Sequence, residues 1–168
     1  LPIGQTVIAT KQLIDWEIQP QDIERIALWL REQPWKKKAA AKPINELRIT
    51  RNAYPKETAT AIGSFLAAAE QENKVARMVL RFALLCVLEP ISYTRKDGQY
   101  LRWDYRSGRR LGKKVFDKGE ILSFDRAITD KLHEIVTDLY LSDMPEDLFK
   151  TLRAPTEIVL HSGSCLDI

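Results

Sequence analysis

The chain has 168 residues, of which 45% are hydrophobic and 29% charged, with a formal net charge of +3. That length suits one domain with a real apolar core and is short for two, and that balance excludes disorder as the main state. The longest unbroken apolar run, residues 82–88, falls far short of the ~20 residues a membrane-spanning helix needs, so no transmembrane segment is expected. Two cysteines, Cys86 and Cys165, and the lack of a basic-then-apolar opening segment argue against a disulfide framework and a secretory signal. A reducing cytoplasm with both thiols free is the default. The chain opens on Leu1 without an initiator methionine and ends at Ile168 just after a strand-like segment and a tight turn. It reads as a piece of something longer.

Residues 1–17 mix short apolar pieces with turn residues and carry no clear period. Pro20 at a first helical position, followed by Ile23, Ile26, Ala27 and Leu30, predicts a helix that stops before Pro34. Residues 35–43 form a lysine- and alanine-rich connection, and residues 45–54 are ambiguous. After Pro55, the set Ala59, Ile62, Leu66 and Ala69 describes one helix face, with alanines that let a neighbour come close. Residues 74–89 read as a central buried helix ended by Pro90, its face formed by Val75, Met78, Val79, Phe82, Leu85 and Cys86. Cys86 on that face is expected to pack and not to react. Asp97-Gly98 between Tyr- and Thr-rich flanks is a hairpin-turn signature, although four basic residues in the flanks weaken a stable strand pair; the expectation is a loop with short strands.

Ser123 reads as an N-cap, and Phe124, Ala127, Ile128, Ile135 and Leu139 continue an amphipathic helix to about Tyr140, with His133 at its surface or boundary. Asp143-Met144-Pro145 breaks the chain before a short helical piece around residues 146–152. Residues 157–161 differ in character, because Ile158-Val159-Leu160 is continuously apolar and β-branched, as strands covered on both faces are. Such a strand pairs either with residues near the amino terminus or with a sheet supplied by further polypeptide.

Charge is distributed unevenly. Residues 93–118 hold nine basic and three acidic side chains, a net of +6, whereas residues 120–150 hold eight acids against three bases. Two surfaces with different neighbours follow from this polarity. The basic stretch also interleaves Tyr93, Tyr100, Trp103, Tyr105 and Phe116 with glycines at 98, 108 and 112. Arginine and lysine attract phosphates, arginine can read guanine edges, and aromatics can stack on an unpaired base, so this stretch fits a nucleic-acid surface. The alternative is that the aromatics are core and the basic groups solvate a loop.

Self-contained catalysis finds little support. There is no Gly-x-Gly-x-x-Gly, no phosphate loop and no serine flanked by the glycines of a nucleophile elbow. Two histidines leave few candidate bases, and His161 with Cys165 makes two ligands, which is not a zinc site. No catalytic residue and no metal ligand is assigned.

The segment Glu157-Ile158-Val159-Leu160-His161-Ser162-Gly163-Ser164-Cys165-Leu166-Asp167-Ile168 resembles part of the amino-directed DNA methyltransferases, which methylate N6 of adenine or N4 of cytosine. In that family an apolar strand ends in Gly-Asp-x-Leu and a helix, followed shortly by an Asp/Ser/Asn-Pro-Pro-Tyr tetrapeptide. Gly163, Cys165-Leu166 and the strand match, while Ser164 stands where the family usually has an aspartate that helps hold the adenine of S-adenosylmethionine. The run of residues 92–108, with Phe116, Asp117 and the long helix, is similar to the helical region between the cofactor-binding and catalytic halves of a bacterial and archaeal subgroup. The Pro-Pro-Tyr tetrapeptide and the Phe-x-Gly-x-Gly cofactor loop are both absent from these residues.

The resemblance implies a mainly α fold: a bundle-like helical, DNA-contacting domain over residues 1–155 with a short basic loop or hairpin, then over 156–168 one strand and the start of a helix belonging to an α/β methyltransferase sheet. The whole protein would transfer a methyl group from S-adenosylmethionine to an exocyclic base amine of a flipped base, within restriction-modification. This chain would supply DNA binding and core structure and be inactive alone, its partners being DNA and the rest of the methyltransferase polypeptide. Arg95, Lys96, Arg102, Arg106, Arg109 and Arg110 are the expected phosphate or base contacts, with Trp103 and Tyr105 as supporting or stacking groups. Gly163 and Ser164 fall on the cofactor side. Two other readings stay open: a non-enzymatic helical nucleic-acid-binding protein, and an interaction domain that docks a partner on the acidic helix of residues 120–140.

Overall fold

A computed structural model of the chain describes residues 18–37, 48, 50–98, 100–109 and 115–142. Among these residues it is four helices and one antiparallel hairpin: α1 Pro20–Glu32, α2 Lys56–Ala69, α3 Lys74–Val87, β1 Thr94–Asp97, β2 Tyr100–Trp103 and α4 Phe124–Ser142. The mainly helical expectation holds, and the hairpin is fully paired. The segment 156–168, with its expected sheet strand, and therefore the proposed domain boundary, lie outside the described residues.

Local chemistry sets the ends of each helix. Pro20 opens α1, and the Gln19 N–H donates to Asp22 Oδ2 at 3.1 Å, occupying a donor that the first turn would otherwise leave open. Gln33 turns left-handed (φ 46°), its N–H reaching Trp29 O at 3.0 Å, and Pro34 then forbids continuation. The 3-10 turn Pro34–Lys36 that follows folds Trp35 back onto the core. Asn73 caps α3 by accepting from Ala76 N at 2.8 Å, and Ser123 Oγ accepts from Arg126 N in the first turn of α4.

The core lies where α4 crosses α1 and α3, with α2 completing the wall. Its centre is aromatic. Trp29 and Trp35 have ring centroids 4.7 Å apart, Phe65 meets Trp29 edge-on at 5.0 Å, and Phe124 meets Phe65 edge-on at 5.6 Å. Such edge-to-face pairs add to the stabilisation from burial alone. Trp35 Nε1 donates to Asp125 Oδ1 at 3.0 Å, so the aromatic centre also fixes the start of α4. Across the bundle, the Arg25 guanidinium grips the buried Glu72 carboxylate at 2.7 and 3.0 Å and ties α1 to the turn between α2 and α3.

The face that α3 buries is turned from the expected one. Ala76, Val79, Leu80, Ala83, Leu84 and Val87 are buried, while Val75, Met78, Phe82 and Leu85 are only half-covered and Cys86 is exposed. The buried face lies opposite the polar side marked by Lys74, Arg77 and Arg81. Ala76 and Ala83 lie within that buried face. Cys86 therefore does not pack in the core; partial desolvation of its thiol, with a smaller push from Glu134 and against the pull of Lys131, raises it above the usual range.

Candidate nucleic-acid interface

The hairpin pairs Thr94 with Trp103, Arg95 with Arg102, Lys96 with Leu101 and Asp97 with Tyr100. A two-residue connection closes it, and Gly98 adopts φ 58°, a conformation glycine reaches without the steric cost other residues meet. The sequence signature lay one residue early, because Asp97 is the last paired residue of β1. Since side chains alternate, Arg95, Asp97, Tyr100 and Arg102 share one face, and Thr94, Lys96, Leu101 and Trp103 the other.

Backbone hydrogen bonds join the base of the ribbon to the body: Tyr93 N to Ala53 O at 2.7 Å, Asp104 N to Tyr93 O at 2.8 Å and Tyr105 N to Phe116 O at 3.0 Å. The fixing group is Asp104, whose side chain is wholly buried and accepts four hydrogen bonds. Oδ1 receives Arg106 Nε at 2.7 Å and Arg106 N at 2.9 Å; Oδ2 receives Arg106 Nη2 at 2.9 Å and Lys118 N at 2.6 Å. These donors, the Arg106 side chain first among them, hold the Asp104 carboxyl far below the ordinary carboxylate range despite its burial, and Asp104 raises the Arg106 guanidinium in turn. Arg106 Nη2 also donates to Gly119 O at 2.7 Å, and Asp117 lies 3.6 Å away. Lys118 Nζ donates to the Glu89 carbonyl and, at 2.9 Å, to the Ser92 carbonyl, and its burial lowers its pKa.

The expected contact residues therefore separate. Arg106 binds Asp104 and the Gly119 carbonyl within the chain, so its guanidinium holds the loop while about a third of its side chain stays exposed. Trp103 is buried under the Arg109 guanidinium, 4.0 Å above its ring, which makes it support and not a stacking surface. Arg109 also donates to Arg48 O at 2.9 Å. Arg102 lies 4.3 Å over the Phe116 ring and 3.3 Å from Asp97, with about half its side chain exposed. Arg95 and Lys96 are exposed and make no ion pair with a described residue, and Tyr105 is exposed with the Arg106 guanidinium 5.6 Å from its ring centre. Arg95 also stands directly across the ribbon from Arg102, a like-charge opposition that is unfavourable until an anion approaches. Arg110, Gly163 and Ser164 lie outside the described residues.

Sequence reasoning passed over Asp104 and Lys118. A signal for Asp104 was present: an aspartate directly after a strand and two residues before an arginine is a side chain that caps the following turn, as Asp104 does for the 3-10 turn Tyr105–Ser107. Nothing marked Lys118, whose partners are backbone carbonyls 26 and 29 residues away.

A cleft of about 510 Å³ lies beside the loop, between the starts of α2 and α4, lined among others by Thr58, Tyr93, Arg106 and Asp125. It does not suit S-adenosylmethionine. Asp125 is engaged by Trp35 and Lys36, and the described glycines with left-handed backbone, Gly98, Gly108 and Gly119, all belong to the hairpin and its loop, none to a strand-to-helix turn. No grouping of histidine, cysteine and acidic side chains fit for a metal occurs among the described residues, and none of their helices is long and apolar enough to cross a membrane.

No family model and no solved structure matches the chain. Among curated proteins, the Type II methyltransferases M.AvaI of Nostoc sp. (strain PCC 7120) and of Anabaena variabilis are each 46% identical to it over all 168 residues, which amount to 35% of their own length. The Type II methyltransferase M.BsoBI of Geobacillus stearothermophilus is 32% identical over 155 residues, 83% of this chain and 30% of that protein. The chain spans about a third of the length of the relatives it matches. It is homologous, from end to end, to one segment of the Type II methyltransferases.

Proposed function

We propose that this chain is the DNA-gripping segment of a site-specific DNA methyltransferase, the whole of which moves a methyl group from S-adenosylmethionine to an exocyclic base amine in a restriction-modification system of the cytoplasm. The observation that carries the reading is the basic ribbon on a neutralised base. Asp104, Arg106 and Lys118 satisfy one another and the backbone beneath it, while Arg95 and Lys96 stand exposed above. A loop that merely needed solvation would not require a buried carboxylate to hold it in place.

S-adenosylmethionine supplies the electrophilic methyl group when bound. The residues expected to meet it, Gly163 and Ser164, and the rest of the polypeptide as partner, belong to a part of the proposal that the described residues do not reach. These residues instead bind and orient. Salt-dependent attraction at Arg95, Lys96 and Arg102 draws in the phosphate backbone, and Arg109, over Trp103 and donating to the Arg48 carbonyl, ties the end of the ribbon to Arg48. Holding substrate in a reactive pose is the protein's main contribution to a transfer of this kind.

The test is methylation of duplex DNA by the full-length protein with labelled S-adenosylmethionine. Replacing Arg95 and Lys96 together by alanine should weaken DNA binding and reduce its salt slope by about one unit for each phosphate no longer neutralised. A slope identical to the parent protein's across a salt titration sinks the reading.

A further inference from the structure

We infer that the hairpin enters the major groove tip-first, and that Tyr100 and Leu101 contact base edges and so contribute to sequence selection. This rests on the DNA-binding reading above and specifies the part of DNA the ribbon meets.

Three observations lead to it. The first is exposure: Tyr100 is 77% and Leu101 49% solvent-exposed, an aromatic and an aliphatic side chain adjacent in β2 and near the end of a ribbon otherwise rich in charge. Neither contributes to the apolar core. Exposed singly, such residues are ordinary; here they stand on opposite faces of a cationic ribbon beside its turn, so that a groove entered tip-first meets one on each side.

The second is dimension. Strands in a pair lie ~4.8 Å apart, so a two-stranded ribbon fits a major groove about 12 Å wide. The pairing places Arg95 and Arg102 two positions back from the Asp97–Tyr100 pair, a distance of ~7 Å at strand rise. With the tip at the floor of a groove about 8.5 Å deep, the two arginines come level with the phosphates that line its rim.

The third is charge. Arg95 and Arg102 face each other, Lys96 projects from the opposite face, and the only acid of the ribbon, Asp97, lies 3.3 Å from Arg102. A polyanion relieves the first arrangement, and Asp97, partnered by Arg102, can accept from a cytosine amine without presenting a bare charge. Tyr100 on one face or Leu101 on the other can cover a thymine methyl, a contact a base edge offers and a phosphate does not.

The experiment is selection by the full-length protein from a pool of randomised duplexes, with binding of enriched and unselected duplexes then measured across a salt series. The parent protein is compared with a Tyr100→Ala/Leu101→Ala double variant and with Arg95→Ala. Both sets of residues are exposed, and matching circular dichroism and unfolding midpoints establish that the variants are folded. The tip variant should lose about tenfold or more of its preference for enriched over unselected duplexes, while its salt slope stays that of the parent. Arg95→Ala should do the reverse, losing about one unit of slope and keeping the preference. If the tip variant keeps the full preference, the base-edge inference is overturned, and a lowered slope in Arg95→Ala would leave the DNA-binding reading standing. If Arg95→Ala also leaves the slope unmoved, both fall.

Discussion

The helical body and the basic hairpin are built on different physics. In the body, Trp29, Trp35, Phe65 and Phe124 meet at the crossing of the helices, and charged groups such as Arg25 and Glu72 tie its edges. In the hairpin region the order is reversed: a buried carboxylate lies at the centre, and aromatic rings serve as seats for guanidinium groups. Burial of apolar area is neither screened by ionic strength nor titrated by pH, whereas an arrangement of charges responds to both. If the chain meets a polyanion as proposed, confining its electrostatics to one ribbon leaves its stability to the other region.

The largest effect that divides the two regions belongs to Phe65, fully buried and in ring contact with Trp29, Trp35 and Phe124. Phe65→Ala should lower the unfolding free energy by about 3–5 kcal/mol, read from urea denaturation of the full-length protein by tryptophan fluorescence. The loss should be the same at low and high salt. A strong salt dependence would mean that the body is not held by apolar packing.

Asp104 comes next and tests the other half. Asp104→Asn keeps the shape, removes the charge and leaves two of four donors facing an amide that cannot accept from them, for a loss of about 2–3 kcal/mol. The pH signature sharpens it. The folded-state pKa of Asp104 lies far below its unfolded value, so its contribution is complete above the ordinary carboxylate range near pH 4 and fades as pH falls through and below that value. The parent protein should therefore lose stability in acid more steeply than Asp104→Asn. Parallel acid limbs for the two would remove Asp104 from the centre of the loop.

How much of this could be read in the sequence depended on the range of the signal. Pro20, Pro34, Pro55 and Ser123 mark helix ends because each acts on its own backbone within a turn, and the helices begin and stop there. The hairpin was legible through Asp97-Gly98, misplaced by one residue because either residue can take the left-handed turn position. The buried face of α3 was legible only to within a fraction of a turn: Arg77 and Arg81 mark its outer side, and the face buried away from them holds Ala76, Val79, Leu80, Ala83 and Val87 in place of Met78, Phe82 and Cys86. Within the basic stretch, charge density could not separate Arg106, bonded to Asp104, from Arg95, exposed with no ion pair to a described residue. Both are arginines among arginines, and only the path of the chain through residues 116–119 distinguishes them.

Arg95 gives the smallest effect on stability and the clearest contrast with Asp104, because its sign should be opposite. It makes no ion pair with a described residue and faces Arg102 across the ribbon, so its charge costs the free protein a little and is useful only when an anion is bound. Arg95→Ala should leave the unfolding free energy unchanged or raise it by a few tenths of a kcal/mol, an increase that shrinks as salt screens the opposition. The same variant should bind duplex DNA less well. Stability and affinity moving in opposite directions is the mark of a side chain retained for a partner, as a substitution at Asp104, which lowers both, is the mark of one retained for the fold. Should Arg95→Ala instead destabilise the free protein, Arg95 would belong with Arg106 among the groups that hold the loop, and the outward face of the ribbon would have to be sought at Lys96 and Arg102.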